Sequence, residues 1–174
     1  MTEILNIVNE KDEVIGQKTR EEIHKSKSWH RGVHAILLDK DSKILLQKRS
    51  AYKDKFPCCF DLSVSGHVDL NESYDEAIVR ELKEELNIIA EPKKLVKLKM
   101  DYGENDNMIS EVYELNYDGN IEFDNLEEVE AIYFFSQEEL KEMLVKEKDK
   151  FAQWTVEILK WYLNMPSQII VIGD

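Results

Sequence analysis

Several classes of protein are excluded by what this sequence has little of. Its 36 acidic and 23 basic side chains give a net charge of −13, so it lacks the basic surface with which proteins bind nucleic acid. The longest uninterrupted apolar runs, 131–135 and 169–172, are far shorter than the ~20 residues of a membrane-spanning helix. The 43% apolar content is enough for a core, and nothing is collagenous or mucin-like. We expect neither a nucleic-acid partner nor a membrane segment.

Cysteine is also scarce. Cys58 and Cys59 are the only two, and because they are adjacent they form neither a disulfide framework nor a CxxC metal motif. The N-terminal residues 1–7 carry no positive charge and precede no apolar stretch, so they do not resemble a secretory signal. We therefore expect a cytoplasmic protein. Its strong negative charge would repel an anionic substrate unless a divalent metal intervened.

The first part of the chain predicts two hairpins and a short helix. Apolar segments 4–8 and 14–16 flank a polar turn, and Thr19 with Glu22 forms a capping box for a helix to about residue 25. We expect residues 1–30 to form this N-terminal extension. Segments 33–38 and 44–47 flank a second polar turn and predict a second hairpin.

The remaining pattern mixes strands with helices. Residues 62–65 alternate like a strand that stops at Gly66, and Ser73 with Glu76 opens a helix to about residue 86. Later strands are expected at 95–100, 109–117 and 131–135, and later helices after Ser136 and over 151–163. No linker or repeat interrupts them. This order favours one α+β domain over residues 1–174, with a mixed sheet.

The central helix carries a possible metal site. Ile78, Leu82 and Leu86 form a stripe that would pack on the sheet. The carboxylates beside that stripe are Glu81, Glu84 and Glu85. Like charges at this spacing repel by roughly 0.2–0.5 kcal/mol per pair. A bound cation would relieve the repulsion, and oxygen ligands of this kind favour Mg²⁺ or Mn²⁺. The alternative is an acidic, solvated surface helix.

Residues 66–88 resemble the Nudix box of the MutT-like Nudix hydrolase superfamily. The matching positions are Gly66, Glu72, Arg80, Glu81, Leu82, Glu84, Glu85 and Ile88. The family pattern has glycine where this chain has Asn87, but asparagine also tolerates the left-handed conformation at a helix C-terminus. The departure is therefore mild.

This resemblance implies a Nudix fold, a mixed sheet sandwiched between helices (α/β/α). It implies hydrolysis of a diphosphate linkage, in a nucleoside diphosphate derivative or a related organic diphosphate, with Mg²⁺ or Mn²⁺. The implied metal ligands are Gly66, Glu81, Glu84 and Glu85. The implied catalytic residues are Glu81, Glu85, Arg80, which positions Glu81 or Glu72, and a later glutamate among Glu127, Glu128 and Glu130, with Glu130 preferred. Homodimers are common in the family, so a homodimer stays open.

Over residues up to about 161, the chain also resembles the isopentenyl-diphosphate isomerase branch of the superfamily. That resemblance implies a second metal site at His24, His30, His67 and Glu111. The alternative for these histidines is an ordinary core or surface role. Ser65 stands where the isomerases need a cysteine for proton transfer. The complete box therefore favours a hydrolase over an isomerase.

Three cations lie where a diphosphate would pass in this family. They are Arg31, Lys48 and Arg49, and the alternative for Lys48 and Arg49 is a solvated strand end. Two other functions stay open beside hydrolysis. One is an isomerase-like activity, and the other is an acidic binding module without catalysis.

Overall fold

The computed structural model describes residues 3–103, 106–123 and 127–173. In chain order its elements are β1 (Ile4–Val8), β2 (Val14–Thr19), α1 (Arg20–Ser26), β3 (Trp29–Leu38), β4 (Ile44–Arg49), β5 (Phe60–Asp61), β6 (Val64–His67), α2 (Tyr74–Leu86), β7 (Lys93–Asp101), β8 (Asn107–Asn116), β9 (Val129–Phe135), α3 (Gln137–Lys146), a 3₁₀ turn (Lys148–Lys150), α4 (Gln153–Tyr162) and β10 (Ile170–Ile172).

The sheet is built around β3. One edge of β3 pairs in parallel with β8 along its length, and the other edge pairs antiparallel with β1 and then β6. The longest path through the sheet runs β10-β7-β8-β3-β1-β2. One parallel pairing among antiparallel ones makes the sheet mixed, as the sequence predicts.

Capping residues place the helices where the sequence predicts them. The Ser73 side chain accepts a hydrogen bond from the backbone N–H of Glu76, and the Glu76 carboxylate accepts one from the backbone N–H of Ser73. Thr19 opens α1 and Ser136 opens α3 in the same way. Because a capping box satisfies backbone donors that no helical carbonyl reaches, each one fixes a helix start.

The second hairpin is only partly as expected. Both strands form, but β3 and β4 share a single residue pair, Leu38 with Ile44. The edge of β3 before that point is taken by β6, which pairs from Gly32 to Ala35. β4 therefore pairs instead with β5 and β9. Local turn signals predicted the strands, whereas this long-range pairing decides their partners.

Two further expectations need correction. Gly66 does not end its strand but lies inside β6, paired with Val33, because ladder bonds to β3 carry the strand through the glycine. Residues 170–172 form β10, which the sequence did not predict, on the outer edge of β7.

Helices cover both faces of the sheet. Ile78, Leu82 and Leu86 of α2 are buried in one core with β3 residues such as Val33 and Leu37. On the opposite face, α3 and α4 pack with other sheet residues in a second core. The α/β/α sandwich is thus confirmed. No helix of the described residues is long and apolar enough to cross a membrane.

Candidate active site

The acidic side of α2 faces a cavity of about 400 Å³. The buried stripe of α2 fixes the rotation of the helix, so the three glutamates beside that stripe turn toward the end of β6. Glu81, Glu84 and Glu85 all line the cavity, together with Gly66. The structure therefore brings together every residue that the resemblance implies as a ligand of the first metal.

Arg80 ties the acidic residues to the backbone. Its guanidinium makes two parallel bonds to Glu72, each 2.9 Å long, and donates to the His67 carbonyl at 3.0 Å. The Nη1 atom donates to Glu81 at 2.8 Å and to Glu84 at 3.1 Å. Glu72 and Glu81 raise the pKa of Arg80, with the hydrogen bonds to Glu72 as the largest cause. Arg80 therefore contacts both Glu81 and Glu72, the two glutamates of which the sequence predicts that it positions one.

Gly66 is required by the close approach of Glu81. A Cβ atom on residue 66 would lie 2.0 Å from Oε1 and 2.1 Å from Cδ of Glu81. Any side chain at residue 66 would therefore displace the carboxylate. The absence of a side chain lets the carboxylate of Glu81 lie directly against the backbone of β6.

Glu81 and Glu85 form a half-buried pair of carboxylates. Burial raises the pKa of Glu81 to about 7. Burial, and then the neighbouring Glu81, raise the pKa of Glu85 well above its ordinary value. Gln47 partly offsets this by donating from Nε2 to Oε2 of Glu85 at 2.8 Å. A cation placed against this pair would favour the ionised form of both carboxylates.

The donor set fits a hard divalent cation. Three carboxylates and the carbonyl of Gly66 offer only oxygen, which Mg²⁺ and Mn²⁺ prefer. In the described residues, no three His, Cys, Asp or Glu side chains are already arranged around a metal position. At α2, one nitrogen of Arg80 bonds both Glu81 and Glu84. A metal would share these two carboxylates with Arg80.

Basic side chains line the same cavity. Arg49 was predicted here, and it bonds Asp61 at 2.7 Å and the carbonyl of Lys55 at 3.0 Å. Arg20, Lys53 and Lys55 also line the cavity, and sequence reasoning missed them. The only signal was the density of basic residues in 48–55, which the sequence cannot relate to α2.

Two predicted substrate-binding cations lie outside this cavity. Arg31 donates to a side-chain oxygen and to the backbone carbonyl of Asp12, both at 2.7 Å, and stacks over Tyr74. Lys48 bonds Glu130 at 2.9 Å. Neither belongs to the cavity lining. The structure therefore does not place Arg31 and Lys48 with Arg49.

Glu130 is likewise placed away from the acidic helix. Register along β4 and β9 passes from Ala131 opposite Lys48 to Val129 opposite Arg49. Glu130 is thus the extra residue of a β-bulge, and its carboxylate turns to Lys48. Glu128 lines the cavity instead and pairs with Lys53. Of the later glutamates, Glu128 and not Glu130 faces the candidate site.

The three predicted histidines do lie together. Ring centroids are 5.7 Å apart for His24 and His30, 5.2 Å for His30 and His67, and 6.4 Å for His24 and His67. Glu111 is not with them. Side chains alternate between faces along β8, and Glu111 accordingly accepts a bond from Tyr113 in the α2 layer. The acidic neighbour of His24 and His30 is Asp106, which the sequence did not indicate.

Ser65, at the position of the isomerase cysteine, is held by two neighbours. Its hydroxyl donates to Asp61 at 3.1 Å and lies 3.1 Å from Nδ1 of His34. Because a carboxylate only accepts, the serine donates to Asp61 and accepts from His34. This hydroxyl is therefore part of a fixed polar network.

Comparison with known proteins agrees with the site. A family model described as the NUDIX domain matches residues 28–155. An uncharacterized Nudix hydrolase from Nostoc is 34% identical over 139 residues, which cover 78% of this chain and 82% of the relative. A prenyl-diphosphate phosphatase from Methanosarcina mazei is 40% identical over 95 residues, 55% of each chain.

Solved structures show the same fold. The DR0079 protein from Deinococcus radiodurans superposes with a TM-score of 0.78 at 27% identity, covering 91% of this chain and 98% of that one. Together with the relatives, it supports a pyrophosphohydrolase. The chain therefore belongs to the Nudix hydrolase family, as its box of residues 66–88 predicts.

Proposed function

We propose that this chain hydrolyses the diphosphate linkage of a small organic diphosphate, using Mg²⁺ or Mn²⁺. The observation that carries the proposal is the half-buried pair of Glu81 and Glu85, which shares one cavity with the basic side chains Arg49 and Lys53. Without a cation, the carboxylates would repel a diphosphate. A metal ion bound between the carboxylates and the diphosphate would attract both.

Gly66, Glu81, Glu84 and Glu85 would hold the metal. When bound, the ion would neutralise diphosphate oxygens and lower the pKa of a water molecule. Arg80 holds Glu81 in place by a hydrogen bond from Nη1 to Oε1. Its paired bonds to Glu72 fix the guanidinium, and Nη1 then fixes Oε1 of Glu81.

Glu85 is the proton acceptor that we propose within the box. Gln47 uses both amide hydrogens, one for the Ser63 carbonyl at 2.7 Å and one for Oε2 of Glu85 at 2.8 Å. The orientation of the carboxylate is therefore set, and Oε1 is the atom that takes the proton of the attacking water. Glu128 is the alternative acceptor, because it lines the cavity.

The cavity lining favours a polar substrate. Among the described residues that line it, Met108, Val129 and Trp154 carry the mainly hydrocarbon side chains, and the others are polar, charged or glycine. A prenyl chain would bury little apolar surface here, although one relative is a prenyl-diphosphate phosphatase. A nucleoside diphosphate derivative, with its hydroxyl groups and ring nitrogens, suits this lining better.

A screen that separates the hydrolysis products by chromatography tests the proposal, because cleavage of a nucleoside diphosphate derivative yields two phosphate monoesters and no free phosphate. Nucleotide sugars, dinucleoside polyphosphates, nucleoside triphosphates and isoprenoid diphosphates are each incubated with Mg²⁺ or Mn²⁺, with EDTA as the metal-free control. We expect turnover of a nucleoside diphosphate derivative by the wild type and by Glu138→Gln, an exposed glutamate of α3. Glu85→Gln should lose it.

Three results would contradict the proposal. Equal turnover by Glu85→Gln would show that the box glutamate takes no part. Isomerisation of isopentenyl diphosphate without phosphate release would favour the isomerase-like alternative. Ligand binding without turnover of any member of the screen would favour the binding module.

A further inference from the structure

The histidine cluster, defined as His24, His30 and His67, contains a cation of its own. The ammonium group of Lys55 lies 3.1 Å from Nδ1 of His24 and 3.3 Å from Oδ2 of Asp106. Lys55 comes from the loop between β4 and β5, and 19% of its side chain is exposed. The positive charge therefore sits among the groups that a second metal would need.

The position of Lys55 is fixed from its own backbone. Arg49 donates from Nε and Nη2 to the Lys55 carbonyl at 3.2 Å and 3.0 Å. The same guanidinium is anchored by Asp61, which is almost fully buried. The lysine thus leaves a braced segment of the loop, and its ammonium reaches the cluster from a fixed starting point.

The contact with His24 excludes a metal on the same atom. An ammonium group only donates, so Nδ1 of His24 must be the unprotonated nitrogen that accepts. That nitrogen has one lone pair, and a metal ligand needs the same lone pair at about 2.0–2.1 Å. A divalent ion at that distance would also lie beside the lysine charge, in a partly buried site where repulsion is strong.

The other members of the cluster have acidic partners. Nδ1 of His67 lies 2.8 Å from Glu3, and Nε2 of His30 lies 3.5 Å from Oδ1 of Asp106. Oδ1 of Asp106 also lies 3.7 Å from His24. The second metal implied by the isomerase branch does not fit these residues, because Glu111 bonds Tyr113 elsewhere and Nδ1 of His24 accepts from Lys55.

We propose that Lys55 is the resident cation of the histidine cluster and replaces a second metal ion. The cluster with Asp106 then holds the ammonium group at the wall of the cavity, where it offers a permanent positive charge to an anionic ligand. Such a charge is covalently part of the chain and does not depend on metal supply. The inference concerns metal binding and stands whether or not the chain hydrolyses a diphosphate.

Cobalt binding to the full chain tests this proposal. Co²⁺ bound by several histidines absorbs visible light strongly, whereas Co²⁺ in a six-coordinate carboxylate site absorbs weakly. We expect the wild type to show only the weak spectrum. Lys55→Met, which keeps the aliphatic stem and removes the charge, should bind an additional Co²⁺ with a strong spectrum. His24→Ala in the Lys55→Met background should lose that ion again.

Lys53→Met is the matched control, because Lys53 lines the same cavity but pairs with Glu128 outside the cluster. It should leave the cobalt spectrum of the wild type unchanged. Lys55→Ala provides a second variant if Lys55→Met folds poorly by near-UV circular dichroism.

Each other outcome overturns the proposal. A strong spectrum in the wild type that His24→Ala removes would show a metal site already present. No additional ion in either folded Lys55 variant would show that Lys55 is not what keeps the metal out. An equal gain in Lys53→Met would show a general effect of charge.

Discussion

The acidic helix lines the same cavity as His24 and His67 of the histidine cluster. Each region gathers metal-ligating side chains around a built-in cation, but the two cations are placed differently. Arg80 bonds Glu81 and Glu84 from the side and, in the described residues, makes no bond to Glu85. Lys55 instead bonds the lone pair of His24. Side chains of the right type therefore do not predict a metal site unless the hydrogen-bond partners of their ligand atoms are also known.

Replacing a carboxylate of the acidic helix should have the largest effect. We expect Glu81→Gln to lower kcat about 10²- to 10³-fold, because an uncharged amide holds a divalent ion weakly and stabilises no developing charge. Thermal unfolding should be little changed, since the lost charge is a buried carboxylate whose pKa is raised to about 7. Initial rates on the substrate found by the screen check this, and an undiminished kcat would remove Glu81 from the site.

Adding a single methyl group at residue 66 should also lower activity. Gly66→Ala places a Cβ 2.0 Å from Oε1 of Glu81, so we expect kcat to fall about 10²-fold through the displaced carboxylate. Gly16→Ala is the control. Gly16 lies on the edge strand β2, and its Cβ would lie 3.3 Å from the flexible end of Ile7. Comparing the kinetics and melting temperatures of the two variants is the measurement. Wild-type activity in Gly66→Ala would contradict the close approach.

The two built-in cations should differ in what they contribute to stability. Arg80→Met removes paired bonds to Glu72, and we expect the free energy of unfolding to fall by about 2–3 kcal/mol. Lys55→Met removes one longer bond to Asp106 and one to His24, and we expect a loss below about 1 kcal/mol. Urea unfolding of both variants without metal measures the difference. Equal losses in the free energy of unfolding would contradict the expected difference between Arg80 and Lys55.

The last expected effect vanishes at neutral pH and concerns His34, whose Nδ1 lies beside Ser65. Burial lowers the pKa of His34 to about 4, so the unfolded chain binds the proton more readily below its ordinary value of about 6.5. Stability from this group is therefore complete above pH 6.5 and falls progressively toward pH 4, by roughly 2 kcal/mol at pH 5. Between pH 7 and 5, the free energy of unfolding measured in urea should fall less in His34→Gln than in the wild type. An equal fall in both proteins would contradict the lowered pKa of His34.

Local signals predicted much of this molecule. Ser73 and Glu76 gave the start of α2, and the fixed helical spacing of residues 80–85 then put Arg80 and its glutamates on one side. Such features depend on residues a few positions apart. Helical geometry therefore relates them without knowledge of the rest of the chain.

Long-range contacts decided the rest. Nothing local relates Lys55 or Asp106 to His24, since their approach depends on how β4 leaves β3 and where β8 begins. Glu111 failed as a partner of the histidines for a simpler reason. It is one residue out of phase on β8, and a shift of one position moves a side chain to the other face of a sheet.

Metal binding at the acidic helix, and not at the histidine cluster, is tested most directly by soaking crystals of the protein in Mn²⁺ and recording anomalous scattering at the manganese edge. We predict a peak among Gly66, Glu81 and Glu85, and none in the histidine cluster. A peak bound by His24, His30 and His67, with the acidic helix free of manganese, would contradict the account of both regions.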